Sequence, residues 1–84
     1  MSVAPPTRQA LGSTVRALRQ ERGLTLEALA DAAGMNATYL SDIERGRGNP
    51  TIGKLGDLAV VLNTRVSEII ARAEGTNRAS SPPC

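Results

Sequence analysis

The segment Thr25–Arg45 constrains the fold of this chain more than any other, because it predicts two short helices joined by a tight turn. Thr25 and Asn36 are residue types that favour the N-terminal cap of a helix, and each precedes a run with apolar residues at helical spacing. Gly34 lies between the two runs, where glycine readily adopts the left-handed backbone that ends a helix. The segment therefore predicts a helix-turn-helix.

The flanking sequence predicts three more helices and no strand, so we expect an all-α, compact five-helix bundle. Helix 1 is expected over residues 9–22, helix 2 over 26–33, helix 3 from 37 to Gly46, helix 4 over 52–62 and helix 5 over 66–73. The apolar positions at helical spacing are Leu11, Val15 and Leu18 in helix 1, and Leu26, Leu29 and Ala30 in helix 2. In helix 4 they are Ile52, Leu55, Leu58, Ala59 and Leu62, and in helix 5 they are Val66, Ile69 and Ile70.

The ends of the chain differ in composition from its centre. Residues 1–8 contain Pro5 and Pro6 without periodicity, and residues 75–84 combine Gly, Ser and Pro. Such segments cannot bury enough apolar surface to order themselves. We expect a flexible N-terminal arm (1–8), one helix-turn-helix domain (9–74) and a disordered C-terminal tail (75–84).

Several classes of function are disfavoured by what the sequence lacks. There is no histidine, and Cys84 is the single cysteine, so an intramolecular disulfide or a zinc site is not expected. The sequence contains no run of 18 apolar residues, so a membrane span is not expected. The N-terminus does not resemble a secretory signal. We expect a cytoplasmic protein with no enzymatic activity, no cofactor, no metal and no small-molecule ligand.

Positive charge flanks the predicted helix-turn-helix on both sides. Residues 1–24 carry four arginines and one glutamate, and residues 36–54 carry three basic and two acidic side chains. Such a distribution is typical of proteins that bind phosphate groups. Ordinary solvated helix faces produce the same pattern, so charge alone leaves both interpretations open.

Helix 3 is expected to bury one face and present the other to solvent. At about 100° per residue, Leu40 and Ile43 point to one side. The opposite side carries the short or polar side chains Ala37, Thr38, Ser41, Asp42 and Arg45. Short side chains allow a helix to enter the major groove of DNA, where the base edges differ. A solvated helix without a partner is the alternative interpretation.

In three segments the chain resembles the Xre-type helix-turn-helix family, which includes the DNA-binding domains of phage Cro and repressor proteins. These segments are VRALRQERGLT, LADAAGMNATYLSDIERG and NPTIGKLGDLAVVL. The run YLSDIERGRGNPT is the most specific of them, and it is especially similar to the controller proteins of restriction–modification systems. The resemblance covers about residues 11–70 and implies a lambda-repressor-like fold in which helix 3 is the recognition helix.

The resemblance also implies roles for individual residues. Base edges would be read by Asn36, Ala37, Thr38, Ser41 and Asp42. Phosphate groups would be bound by Arg16, Tyr39, Arg45, Arg47, Asn49, Thr51 and Lys54. Arg19 and Glu44 would form a structural ion pair.

Two positions depart from the family pattern. Many relatives have a phosphate-binding glutamine where this chain has Leu26, and many have arginine or glutamine where it has Ala37. Alanine cannot make the bidentate contact with guanine that arginine makes. Specificity would then depend on fewer hydrogen bonds or on DNA shape. Asp42 either accepts a hydrogen bond from cytosine or is simply exposed.

A short terminal helix with three apolar residues predicts a homodimer interface at Val66, Ile69 and Ile70, unless all three pack inward. We therefore expect a sequence-specific transcriptional regulator that binds a pseudo-palindromic promoter site in double-stranded DNA as a dimer. It would repress by blocking RNA polymerase or activate by contacting it. The alternative is an antitoxin-like module that neutralises a partner protein and regulates its own operon.

Overall fold

The computed structural model describes residues 7–77, which form five α-helices and no strand. The helices are α1 (Arg8–Glu21), α2 (Leu26–Ala32), α3 (Ala37–Glu44), α4 (Ile52–Val61) and α5 (Val66–Asn77). The first four lie within two residues of their expected bounds, whereas α5 continues past Ala73. Cys84, and most of the expected arm and tail, lie outside the described residues.

Short polar side chains fix where four of the helices begin. The Oγ1 atoms of Thr7, Thr25 and Thr51 accept hydrogen bonds of 2.9–3.1 Å from the backbone amide three residues later. Asn36 Oδ1 accepts a 2.7 Å bond from the amide of Thr38. Each bond satisfies an amide that has no partner within its helix. The predicted caps at Thr25, Asn36 and Thr51 are therefore confirmed.

The core consists of small and aliphatic side chains contributed by all five helices. It contains Val15, Leu29, Ala30, Ala33, Leu40, Leu58, Ala59, Leu62 and Ile69. The helix α1 packs against both α3 and α5, and α2 packs against α3. Ile52 was expected to belong to the buried face of α4, but it is 68% exposed. It is the first residue of its helix, where no neighbouring element covers it.

The recognition-helix candidate α3 lies unusually close to α1. A Cβ atom placed on Gly12 would approach the carbonyl oxygens of Ile43 and Glu44 to 2.1 and 2.8 Å. Such distances are far inside van der Waals contact, so only glycine permits this crossing. Gly12 thereby sets how closely the C-terminal end of α3 can approach α1.

Candidate nucleic-acid interface

The inner face of α3 is fixed to the domain by two aliphatic side chains. Leu40 is fully buried in the core and Ile43 is 1% exposed. The helix begins at the tight turn that follows α2, in which Gly34 has a φ of +70°. Because non-glycine residues rarely adopt such a φ, the turn requires this residue. These constraints leave the opposite face of α3 turned toward solvent.

The predicted structural ion pair joins the C-terminal end of α3 to α1. Arg19 Nε lies 2.8 Å from Glu44 Oε2, and Arg19 Nη2 lies 3.0 Å from Glu44 Oε1, so the pair is bidentate. The hydrogen bond with Glu44 raises the pKa of Arg19. Arg19 Nη1 also donates to the carbonyl of Leu24, just before α2. One side chain therefore connects α1, α3 and the approach to α2.

The five residues expected to read bases differ in accessibility. Thr38 is exposed, and Ser41 and Asp42 are half-buried. Asn36 is exposed, but its Oδ1 is occupied as the helix cap, which leaves its amide NH₂ group as the free donor. Ala37 is half-buried and packs against the core. The structure therefore brings Thr38, Ser41 and Asp42 together on α3, with Asn36 at its N-terminal end.

The loop after α3 folds back on the helix. The amides of Arg47 and Gly48 donate to the carbonyl of Asp42 over 2.8 and 3.0 Å. The side chains of Arg47 and Asn49 remain exposed. The loop thus has a defined backbone while its polar side chains are accessible to a ligand.

The remaining phosphate-binding candidates lie on α1, α3 and α4 or at the ends of these helices. Arg16, Arg45 and Thr51 are exposed, whereas Tyr39 and Lys54 are half-buried. Thr51 uses its hydroxyl to cap α4. Unlike Arg19, neither Arg16 nor Arg45 forms an ion pair within residues 7–77. Both guanidinium groups can therefore bind an anion without breaking an existing contact.

The predicted dimer surface on α5 requires a correction. Ile69 is 0% exposed and belongs to the hydrophobic core of the monomer, so it does not face a partner. Val66 and Ile70 are half-buried. Of the three residues predicted to form the interface, only Val66 and Ile70 therefore remain partly accessible.

Two features of this region were not predicted from the sequence. Val60, on the outer side of α4, is 79% exposed. A cleft between α1 and α3 has Leu26 on its wall. The exposure of Val60 follows from its position opposite the Leu55–Leu58–Leu62 stripe, a helical-spacing signal present in the sequence.

No helix in the described part of the chain combines the length and apolar character needed to cross a membrane. The sequence does match a family model, described as Helix-turn-helix and named HTH_3, over residues 15–69. This match includes α2, the turn and α3, together with all of α4.

A relative of known class is also similar to this chain in sequence. The transcriptional regulator DdrOP3 of Deinococcus deserti is 45% identical over 60 residues, which are 71% of this chain and 46% of that protein. The chain therefore spans about half the length of this relative.

Two solved structures have similar folds. The restriction–modification controller protein C.AhdI of Aeromonas hydrophila has a TM-score of 0.72 at 31% identity, covering 74% of this chain and 94% of that one. SinR, a Bacillus subtilis protein, has been solved in complex with DNA, and this structure has a TM-score of 0.68 at 37% identity. The similarity to it covers 70% of this chain and 95% of that one.

Proposed function

The chain belongs to the helix-turn-helix family HTH_3, and from that premise we propose that it is a DNA-binding regulator of transcription that binds a pseudo-palindromic promoter site as a homodimer. The observation that carries this proposal is the orientation of α3. Its aliphatic side is buried, while Thr38 and Arg45 are exposed on the other. A helix held in this way presents short polar side chains to the major groove.

Sequence reading is assigned to α3 and its cap. Thr38, Ser41 and Asp42 supply hydroxyl and carboxylate groups, and the amide NH₂ of Asn36 supplies a donor at the N-terminal end. Ala37 would make an apolar contact with a thymine methyl group. The structure of SinR in complex with DNA supports the assignment of DNA binding, because that protein has a similar fold.

Phosphate binding is assigned to the basic and polar side chains around α3. These are Arg16, Tyr39, Arg45, Arg47, Asn49, Thr51 and Lys54. The backbone amides of Ile52 and Gly53 are at the positive end of α4, which favours an anion nearby. Such contacts orient the protein on the duplex, whereas contacts with base edges supply sequence preference.

The small size of the reading surface supports the proposed dimer. One recognition helix contacts only a few base pairs, and two such helices about 34 Å apart reach successive turns of the major groove. To the subunit interface we assign half-buried Val66 and Ile70, together with exposed Val60. Regulation would follow from blocking RNA polymerase or contacting it, in the cytoplasm and without catalysis.

The DNA assignment is tested by titrating a labelled duplex with protein variants and measuring fluorescence anisotropy. The double substitution Thr38→Ala and Ser41→Ala should weaken binding to the preferred site by about 10- to 100-fold, since two base contacts are lost. Ser67→Ala removes an exposed hydroxyl from α5 and should leave the affinity unchanged. Equal affinity of the double variant and the wild type would reject α3 as the reading helix.

The dimer assignment is tested by sedimentation velocity. Val60→Glu adds a charge at a position that is already 79% exposed, so the monomer fold should persist while the dimer dissociates. Ala32→Glu adds the same charge to the exposed end of α2 and serves as the matched control. A Val60→Glu protein that sediments like the wild-type dimer would place the interface elsewhere.

A further inference from the structure

A cleft of about 220 Å³ lies between α1, the first residue of α2 and the C-terminal half of α3. It is lined by Arg16, Arg19, Leu26, Ser41, Glu44 and Arg45. This volume is below the range of about 300–1,000 Å³ typical of sites for drug-sized molecules. The cleft is therefore better suited to one small group of a larger ligand.

The charges around the cleft are not balanced. At its base, Arg19 and Glu44 neutralise each other, with side chains 13% and 6% exposed. The two other arginines, Arg16 on α1 and Arg45 at the end of α3, are exposed and form no ion pair in the described part of the chain. The unbalanced charge is thus positive and accessible, which favours an anion between α1 and α3.

Leu26 gives the same cleft an apolar wall. It is half-buried and contacts the core with part of its side chain, and the remaining part lines the cleft. An inorganic anion would gain nothing from this wall, because apolar surface gives no compensation for lost hydration. A sugar–phosphate unit combines an anion with adjoining carbon atoms, and it therefore fits both features.

We propose that Arg16 and Arg45 bind a single DNA phosphate across this cleft, and that Leu26 packs against the adjoining deoxyribose. The inference rests on the proposed DNA-binding function and adds to it a shared phosphate and an apolar backbone contact. Leu26 thereby contributes to affinity through an interaction that does not depend on salt. Its position beside Ser41 connects this backbone contact to the reading face of α3.

The shared phosphate is tested by the salt dependence of affinity for a duplex of arbitrary sequence of about 20 base pairs, two helical turns. Each neutralised phosphate contributes about 0.9 to the slope of log affinity against log salt concentration. The expected changes in slope are those per bound protomer, and a bound homodimer should show twice each value. Arg16→Ala and Arg45→Ala should each lower the slope by less than about 0.5, since the other arginine still neutralises the phosphate. The double variant should lower it by about 0.9.

Separate phosphates would give a different result. Each single variant would then lower the slope by about 0.9 and the double variant by about 1.8, which would overturn the proposal. Arg65→Ala removes an exposed arginine that directly precedes α5 and should not change the slope. If the wild-type protein binds no duplex at any salt concentration, the proposed function itself fails.

The role of Leu26 is tested with the same duplex at temperatures well below unfolding. Leu26→Ala should weaken binding by about 3- to 10-fold without changing the salt slope, and Leu26→Met should retain the affinity. Because Leu26 also packs on the core, an NMR measurement accompanies the variants. Nuclear Overhauser effects between its methyl groups and deoxyribose protons are expected in the wild-type complex, and their absence would overturn this contact.

Discussion

The Arg19–Glu44 ion pair permits a prediction whose magnitude follows from its geometry. Glu44→Gln keeps the shape of the side chain but leaves the Arg19 charge without its partner. Removing one partner of a buried pair costs about 3–5 kcal/mol, whereas exposed pairs contribute about 0–1 kcal/mol. The two side chains are 13% and 6% exposed, closer to the buried limit, so we expect a loss of about 2–4 kcal/mol.

That loss is large for a domain of this size. Total stability of about 0.05–0.15 kcal/mol per residue gives about 4–12 kcal/mol for this chain. The melting temperature of Glu44→Gln, measured by circular dichroism, should fall by about 10–25 °C. Urea titration of the same variant should give the corresponding change in the free energy of unfolding.

A double variant separates the cost of an unpaired charge from the contribution of the pair. Arg19→Met combined with Glu44→Met replaces both charges with apolar groups, and it should recover more than half of the lost stability. Glu74→Gln makes the same chemical change at a residue of α5 that forms no ion pair within residues 7–77, so it is the matched control. A free energy of unfolding for Glu44→Gln within about 0.5 kcal/mol of the wild type would show that the pair behaves as a solvent-exposed one.

Three further predictions concern other contacts. A hydrogen bond from Arg72 lowers the pKa of the Glu21 carboxyl group below 4.5. The stabilisation that this pair contributes is therefore present above about pH 4.5, and it is lost as the pH falls through the lowered pKa. Glu21→Gln should therefore lower the melting temperature at about pH 7 but not at about pH 2, and an equal effect at both would contradict this linkage. Gly12→Ala should lower the free energy of unfolding in urea by about 2–3 kcal/mol, since the added Cβ meets the backbone of Ile43. Gly56→Ala should instead raise it by about 0.5–1 kcal/mol, because this helical glycine has open space around it; a loss would reveal an undetected contact.

Local signals in the sequence were sufficient to predict where the helices begin. Thr25, Asn36 and Thr51 form caps through bonds that span two or three residues, so neighbouring sequence determines them. The inward direction of Leu40 and Ile43 followed from helical spacing in the same way. The expected pairing of Arg19 with Glu44 came from the family resemblance, since no local rule connects residues so far apart.

Errors arose where the packing of distant elements decides the outcome. An apolar residue such as Ile69 is compatible with either a core or an interface. Only the packing of α5 against α1 and α4 shows that it is buried. Ile52 fits the buried stripe by spacing, yet it lies at a helix end beyond the core. Gly12 gave one weak signal, a glycine within a helical pattern, but the sequence does not show which backbone crosses it.

Selection of bound sites from a random pool of duplexes directly tests sequence-specific DNA recognition by α3. The enriched sites should have two-fold symmetry and half-site centres about 10–10.5 base pairs apart, or a multiple of that spacing. Binding to the enriched site should be about 1,000-fold or more tighter than to a scrambled duplex at physiological salt. A pool that shows no enrichment, with equal affinity for all duplexes, would contradict sequence-specific recognition by α3.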